Sequence, residues 1–303
     1  MLNIVKDIQD AKYVTHSGTM HADEVFATAF LELYKHDIDL LRTSSINADD
    51  YPDLLIYDIG RGKFDHHMNY APVRENGIKY SSFGLLWREF GKDFLSGLGI
   101  SDTDEVFNYF DKDLVEGIDA IDNGTFPRIE ANYRVKTLSD IIKLFNNNIT
   151  SSDESNKQFI KAEDIAKTII KEEINSCITK IKTKKLIESY LENSNDRYLI
   201  LDEYLPYEEF ILSSPRGERI LYVIYPSTRG GYAIKTVPVS SKDHSSRLPF
   251  PKEWSGLSDN ELEEVSGIPG LTFCHSNLFI ATCKDKETAI AVVKKIIKEN
   301  EDQ

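Results

Sequence analysis

No apolar run in the chain approaches the roughly 18–20 residues that a membrane-crossing helix needs, so neither a spanning segment nor a membrane partner is expected. Cysteine is scarce. Cys177, Cys274 and Cys283 are odd in number and show no Cys-x-x-Cys spacing, which argues against a disulfide framework and against a zinc ribbon. Positive charge is in deficit: 36 Lys and Arg stand against 50 Asp and Glu, a net charge of −14. Sequence-independent binding of a long duplex relies on a Lys/Arg footprint, so that class of partner is disfavoured. Short or small phosphorylated substrates are not, provided cations or a few arginines reverse the field locally. Met1 to Asp7 lead into no signal-peptide core and lack an Arg/Ser-rich, acid-poor transit pattern. A cytoplasmic protein is the expectation, and a homo-oligomer is compatible with it.

What is present fits a globular protein. The 303 residues are 41% hydrophobic and 28% charged, enough for two domains with sizeable cores. The first part alternates strand and helix signals: Lys12–His16, Asp39–Thr43 and Leu54–Asp58 read as strands, and Glu24–Tyr34, Ser82–Phe94 and Glu105–Ile121 as helices. Alternation of this kind predicts an α/β domain with a mostly parallel sheet. From Asn156 to Glu192, isoleucines and other apolar residues recur at three- and four-residue steps without Gly or Pro, a helical connector. Its Lys180–Lys185 cluster reads as a solvated face. The last hundred residues hold several short strands, with Ser258-Asp259-Asn260-Glu261 as a capping-box signature and Lys286–Glu299 as an amphipathic helix. The expected plan is a catalytic domain over 1–155, a connector over 156–195 and a smaller α+β domain over 196–303.

Histidine and aspartate gather at the expected strand ends of the first domain, where open α/β sheets bind ligands. His16, His21 and Asp23 surround the first strand–helix junction. Asp58 ends the third strand, Asp65-His66-His67 follow shortly after, and Asp119 and Asp122 close a helix before Asn123-Gly124. Each cluster alone is more often structural than catalytic. Four histidines within 52 positions, each beside a strand end, favour a site. Imidazole with carboxylate suits Mn²⁺, Zn²⁺ or Fe²⁺, and the donors suffice for two ions sharing a carboxylate, an arrangement that serves in-line displacement at phosphorus.

The wording of these stretches resembles the DHH phosphoesterase superfamily and, within it, the melanocyte proliferating gene 1 family. The matching runs include Thr15-His16-Ser17-Gly18-Thr19-Met20-His21-Ala22-Asp23-Glu24, Asp58-Ile59-Gly60, Phe64-Asp65-His66-His67 and Ile118-Asp119-Ala120-Ile121-Asp122-Asn123-Gly124. Glu253-Trp254-Ser255-Gly256-Leu257 and Ser266-Gly267-Ile268-Pro269-Gly270 extend the likeness into the second half. The resemblance implies a metal-dependent phosphoesterase, a 3′–5′ exonuclease on RNA or short oligonucleotides, with two Mn²⁺ (or Mg²⁺, Zn²⁺ or Fe²⁺). The alternatives are a small-molecule phosphohydrolase acting on dinucleotides or pyrophosphate, and a non-catalytic binding protein that keeps the fold.

By the same resemblance, one metal would take His16, His21 and Asp58, and the other Asp23, Asp58, His66 and Asp122. Asp122 is preferred to Asp119 because Asp122-Asn123-Gly124-Thr125-Phe126 resembles a run in small nucleotide hydrolases. His67 would face the scissile phosphate as ligand or acid, with Asp65 orienting an imidazole. His21 stands where the wider superfamily has Asp, a change that softens the site towards a transition metal. His275 would belong to a substrate motif in which Ala281-Thr282 replaces two glycines. Arg247 reads equally as a phosphate clamp or as a surface residue. Arg229-Gly230-Gly231 reads as a hairpin turn rather than a phosphate loop.

Overall fold

The computed structural model describes residues 1–68 and 71–301. The chain separates into two compact units, 1–178 and 179–303. The first unit is α/β. Its strands β1 (Leu2–Val5), β2 (Tyr13–His16), β3 (Ile38–Thr43) and β4 (Leu55–Ile56) form an all-parallel sheet in the order β1-β3-β2-β4. Tyr13, Val14 and Thr15 of β2 are all buried, as a central strand covered on both faces requires. Helix α1 (Ala22–Lys35) follows β2 and is buried continuously from Ala22 to Leu31. Its Phe26 and Phe30 pack with Phe83, Trp87 and Phe94 of α2 (Ser82–Gly97), with ring centroids 5.4 Å apart for Phe30 and Trp87. Such aromatic pairs contribute about 0.5–1.5 kcal/mol beyond their buried area.

Two sequence readings of this unit change in detail. The strand expected over Leu54–Asp58 is regular only at Leu55–Ile56. Asp58 takes φ +57° and its N–H donates to Phe64 O, so the chain leaves the sheet at the residue the site uses. The helix expected over Glu105–Ile121 is broken into α3 (Thr103–Phe110), a π-helical turn at Asp111–Val115 and α4 (Glu116–Asp122). After α5 (Leu138–Ile142), the expected connector is one helix, α6 (Ser152–Asn193).

The second unit is built on a five-stranded mixed sheet, in the order β5-β6-β7-β9-β8. Its strands are β5 (Tyr198–Ile200), β6 (Tyr222–Pro226), β7 (Tyr232–Thr236), β8 (Leu271–Cys274) and β9 (Ile280–Cys283); β5 and β6 are parallel and the other pairs antiparallel. Helix α7 (Glu208–Ser213) packs Phe210 and Ile211 into one cluster with Val223 and Tyr225. Helix α8 (Asp259–Ser266) and helix α9 (Lys286–Glu301) close a second cluster around Tyr222, Ile234 and Val292. Arg229-Gly230-Gly231 forms the β6–β7 turn, with φ +97° and +67° at its glycines. The capping box expected at Ser258 does not form: the Ser258 side chain makes no cap bond, because this extended residue is bridged to Phe273 of the neighbouring strand.

Candidate metal centre

The carboxyl end of the parallel sheet delivers most of the donors, and the end of α4 adds Asp122. β2 ends on His16, and its turn Ser17–Met20 leads into α1, whose first residues are Ala22, Asp23 and Glu24. Asp58 follows β4 at the same sheet end. The left-handed backbone there, which Asp adopts more readily than most residues, returns the chain so that Phe64, Asp65 and His66 come back beside Asp58.

Asp58 is 3% exposed and its two oxygens face two different imidazoles. Oδ2 lies 3.1 Å from His16 Nε2 and Oδ1 lies 3.1 Å from His66 Nε2. His66 Nε2 is also 3.1 Å from Asp122 Oδ2 and 3.8 Å from Asp23 Oδ2. At this sheet end, donor atoms within 4.8 Å of one another form three overlapping groups: His16, His21, Glu24 and Asp58; Asp58, His66 and His67; and Asp23, His66 and Asp122. Asp58 and His66 each belong to two groups.

Charge accounts for the state of these side chains. Burial opposes the positive charge of His16, but Asp58 and Glu24 outweigh it and raise the imidazolium to about 11. Burial likewise opposes His66, and Asp122 and Asp58 raise it to about 11. Burial opposes the charge of Asp58, yet the two imidazoles hold its carboxyl below the usual range. Asp23 is pushed well up by burial, then by the charges of Asp58 and Asp122. Three buried carboxylates around shared imidazoles are stable only where positive charge lies among them. Here protons supply it. A divalent cation would supply more, from imidazole and carboxylate donors that suit Mn²⁺, Zn²⁺ or Fe²⁺, so the donor set fits a metal.

The supports of the cluster are built into α2. Ser82 and Phe83 N–H groups donate to Asp23 at 2.9 and 2.7 Å, so Asp23 occupies that helix's positive end. Ser81 Oγ bridges Asp23 and Asp119. Burial raises Asp119 to about 6 against the pull of Arg74, whose Nη1 is 2.7 Å away. Asp119 thus stands behind Asp23, outside the three donor groups, whereas Asp122 lies within one. Gly84 permits this: a Cβ there would lie 1.9 Å from Asp119 Oδ2.

His67 and Asp65 form a pair at the open side. His67 has a 61% exposed side chain, and its Nδ1 lies 2.7 Å from Asp65 Oδ1. Asp65 is fixed in turn by the N–H groups of Arg61 and His67. His67 borders two cavities, of about 490 and 580 Å³. The first is also lined by Lys79 and Lys143, the second by Arg61. These cations, and Glu24, are site residues that the sequence reading missed. Glu24 had a signal, since it sits three positions after His21 and accepts from the His21 N–H at 2.9 and 3.0 Å. Lys143 is separated from the histidines by whole elements, and nothing in the local sequence of either lysine marks it.

In the second unit, Arg247 Nη1 donates to Gly217, Glu218 and Ile220 carbonyls at 2.6, 3.1 and 3.0 Å. That nitrogen holds a turn. His275 Nδ1 accepts from the Asn277 N–H at 3.0 Å, and its ring packs on Phe279. Asn277 and Phe279, with Lys235, His244 and Ser245, line a cavity of about 390 Å³.

The family profile MYG1_exonuc, described as "Uncharacterised protein family (UPF0160)", matches residues 12–297. The chain belongs to the MYG1 family. The human MYG1 exonuclease is 29% identical over 318 residues, covering 92% of this chain and 84% of the human one. The MYG1 protein of Dictyostelium discoideum is 26% identical, with 97% and 98% covered. The MYG1 protein of Chlamydia trachomatis is 29% identical, with 94% and 96% covered. The family match therefore runs through both units, and no described helix is long and apolar enough to cross a membrane.

Proposed function

We propose that this chain is a metal-dependent phosphoesterase of the DHH type, hydrolysing phosphodiester bonds as a 3′–5′ exonuclease on RNA or short oligonucleotides. The observation that carries the reading is Asp58, a buried carboxylate with a different imidazole 3.1 Å from each oxygen. That is the disposition of a ligand shared by two ions. The exonuclease names of the mammalian relatives support the choice of a nucleic-acid substrate.

His16, His21 and Asp58, with Glu24, would hold one ion, and Asp23, Asp58, His66 and Asp122 the other. Two Mn²⁺ bound there would supply the charge that ionises a water near neutral pH and neutralises the phosphate oxygens. The chain's own residues do the rest. Asp65 raises the His67 imidazolium and, by accepting the Nδ1–H hydrogen bond, aims Nε2–H of that imidazolium to protonate the departing oxygen, leaving a neutral imidazole. Lys79 and Lys143 draw the phosphate chain into a cavity of an otherwise acidic protein. The 1–155 region would carry the chemistry, 156–195 would connect, and 196–303 would bind substrate around His275. Arg247 would act there only through its remaining nitrogens.

The test is a 5′-labelled RNA oligonucleotide incubated with chelator-treated protein, with and without added Mn²⁺. The expected result is a ladder shortening from the 3′ end that needs the metal. Turnover of dinucleotides or pyrophosphate without any ladder would assign the site to the smaller substrates. No metal-dependent hydrolysis of any of them would overturn the reading.

A further inference from the structure

Arg42, at the end of β3, is 9% exposed, yet no carboxylate lies within ion-pair distance of it among the described residues. The acidic influence that reaches it, Glu24, acts through space and is itself bound to the His21 N–H. Arg42 Nη1 donates to Ser155 Oγ at 3.2 Å and Asn156 Oδ1 at 3.1 Å, and Nη2 has a 3.5 Å contact to Gly18 O. Its Nε has no partner, nor has the buried Oγ1 of Thr15, its register neighbour on β2. The guanidinium lies over Phe159, its Cζ 4.2 Å from the ring centroid. An uncompensated buried guanidinium is costly unless something completes it.

The surroundings say what would. Arg42 forms part of the wall of a cavity of about 450 Å³ whose lining contains no Asp or Glu, in a chain of net charge −14. The lining includes Ser17, Thr19, Ser151, Ser152 and Asn146, with the Asn146 amide bound to the Met20 backbone and Ser151 Oγ accepting from the Glu154 N–H. Ser152 opens α6 and Ser151 precedes it, so the start of a 42-residue helix borders the same space, although Asp153 and Glu154 of its first turn lie outside the lining. Ser17 directly follows His16, which places the cavity beside the metal donors. An arginine fork, neutral hydroxyls and a helix start are the ingredients of a phosphate seat.

We propose that this pocket seats a second phosphoryl group of the substrate, distinct from the one hydrolysed. The proposal rests on the phosphoesterase reading and extends it: the favoured substrates carry at least two phosphate groups. The Arg42 fork grips the extra group, and α6 and the serines supply the remaining hydrogen bonds.

The experiment has two arms, using wild-type protein, Ser152→Asp and Arg42→Lys. Ser152→Asp places a carboxylate in the seat at a helix start, where acidic residues stabilise, so the variant stays folded. In the first arm, chelator-treated protein is titrated with inorganic phosphate at constant ionic strength and followed by thermal unfolding. Wild type is expected to be stabilised, Ser152→Asp to lose the response, and Arg42→Lys to weaken it by about ten- to a hundredfold in affinity. No response in wild type, or an equal one in Ser152→Asp, would overturn the pocket.

In the second arm, Mn²⁺-treated protein is given a dinucleotide with and without an added terminal phosphate. Wild type is expected to favour the phosphorylated form in kcat/KM by about tenfold or more, and Ser152→Asp to bring that ratio towards one. A wild-type ratio of one despite phosphate binding would overturn the substrate assignment in favour of free phosphate. Absence of all turnover would overturn the phosphoesterase reading and the substrate assignment with it, and the first arm then separates that failure from the lack of an anion seat.

Discussion

Individual side chains in the cluster have separable duties. Asp58 meets both His16 and His66, so Asp58→Asn should lower bound metal and abolish hydrolysis together. Elemental analysis alongside an RNA assay checks this, and full metal occupancy in the variant would remove the shared-ligand role. His67 is mostly exposed and held by Asp65, so His67→Ala should lose about 10²–10⁴-fold in kcat while keeping most of its metal. Equal metal loss in His66→Ala and His67→Ala would mean that the pair is divided wrongly. Protonation adds a third expectation. His16 and His66 are raised to about 11 from 6.5, so in chelated protein they contribute stability that is complete below pH 6.5 and declines as pH rises towards 11. The melting temperature of chelated protein should therefore fall between pH 7 and pH 10. Metal uptake at pH 7 should release protons, since the imidazoles must be neutral to ligate. Calorimetry in buffers of different ionisation enthalpy reads that release directly.

At the level of elements, the site depends on how α2 begins. Asp23 and Asp119 are both bound to the Ser81–Gly84 segment, and Gly84 leaves room for the second of them. Gly84→Ala should cost about 1–3 kcal/mol through displacement of Asp119, on the order of a 5 °C loss in melting temperature. A neutral or stabilising outcome would show that α2 and α4 dock less tightly than this. The element-level comparison with the sequence is instructive. Strands β2 and β3 and helix α1 were legible because apolar periodicity follows burial. The π turn at Asp111–Val115 was not, since one extra residue per turn leaves no propensity signature. Nor was the early end of β4, which the left-handed backbone at Asp58 dictates. The unformed cap at Ser258 shows a tertiary bridge to Phe273 overriding a local motif.

Across the whole molecule, the chain concentrates four of its seven histidines and several buried carboxylates at one end of one parallel sheet. His16, His21, Asp23, Asp58, His66 and Asp122 were readable as candidates because each follows a strand or closes a helix. Lys79, Lys143 and Arg42 were not, because their proximity to the site exists only after folding. The match to the MYG1 family runs through both units, and a metal-centred reading unites the cluster with the two acidic-protein exceptions, the lysine-lined cavity and the Arg42 pocket. The most direct test of the central claim is the number of ions bound. Chelator-stripped protein titrated with Mn²⁺ by calorimetry should take up two ions per chain, releasing protons, and Asp58→Asn should lose both together. A wild-type protein that binds no Mn²⁺, Zn²⁺ or Fe²⁺, or an Asp58→Asn variant that still binds two, would contradict the account.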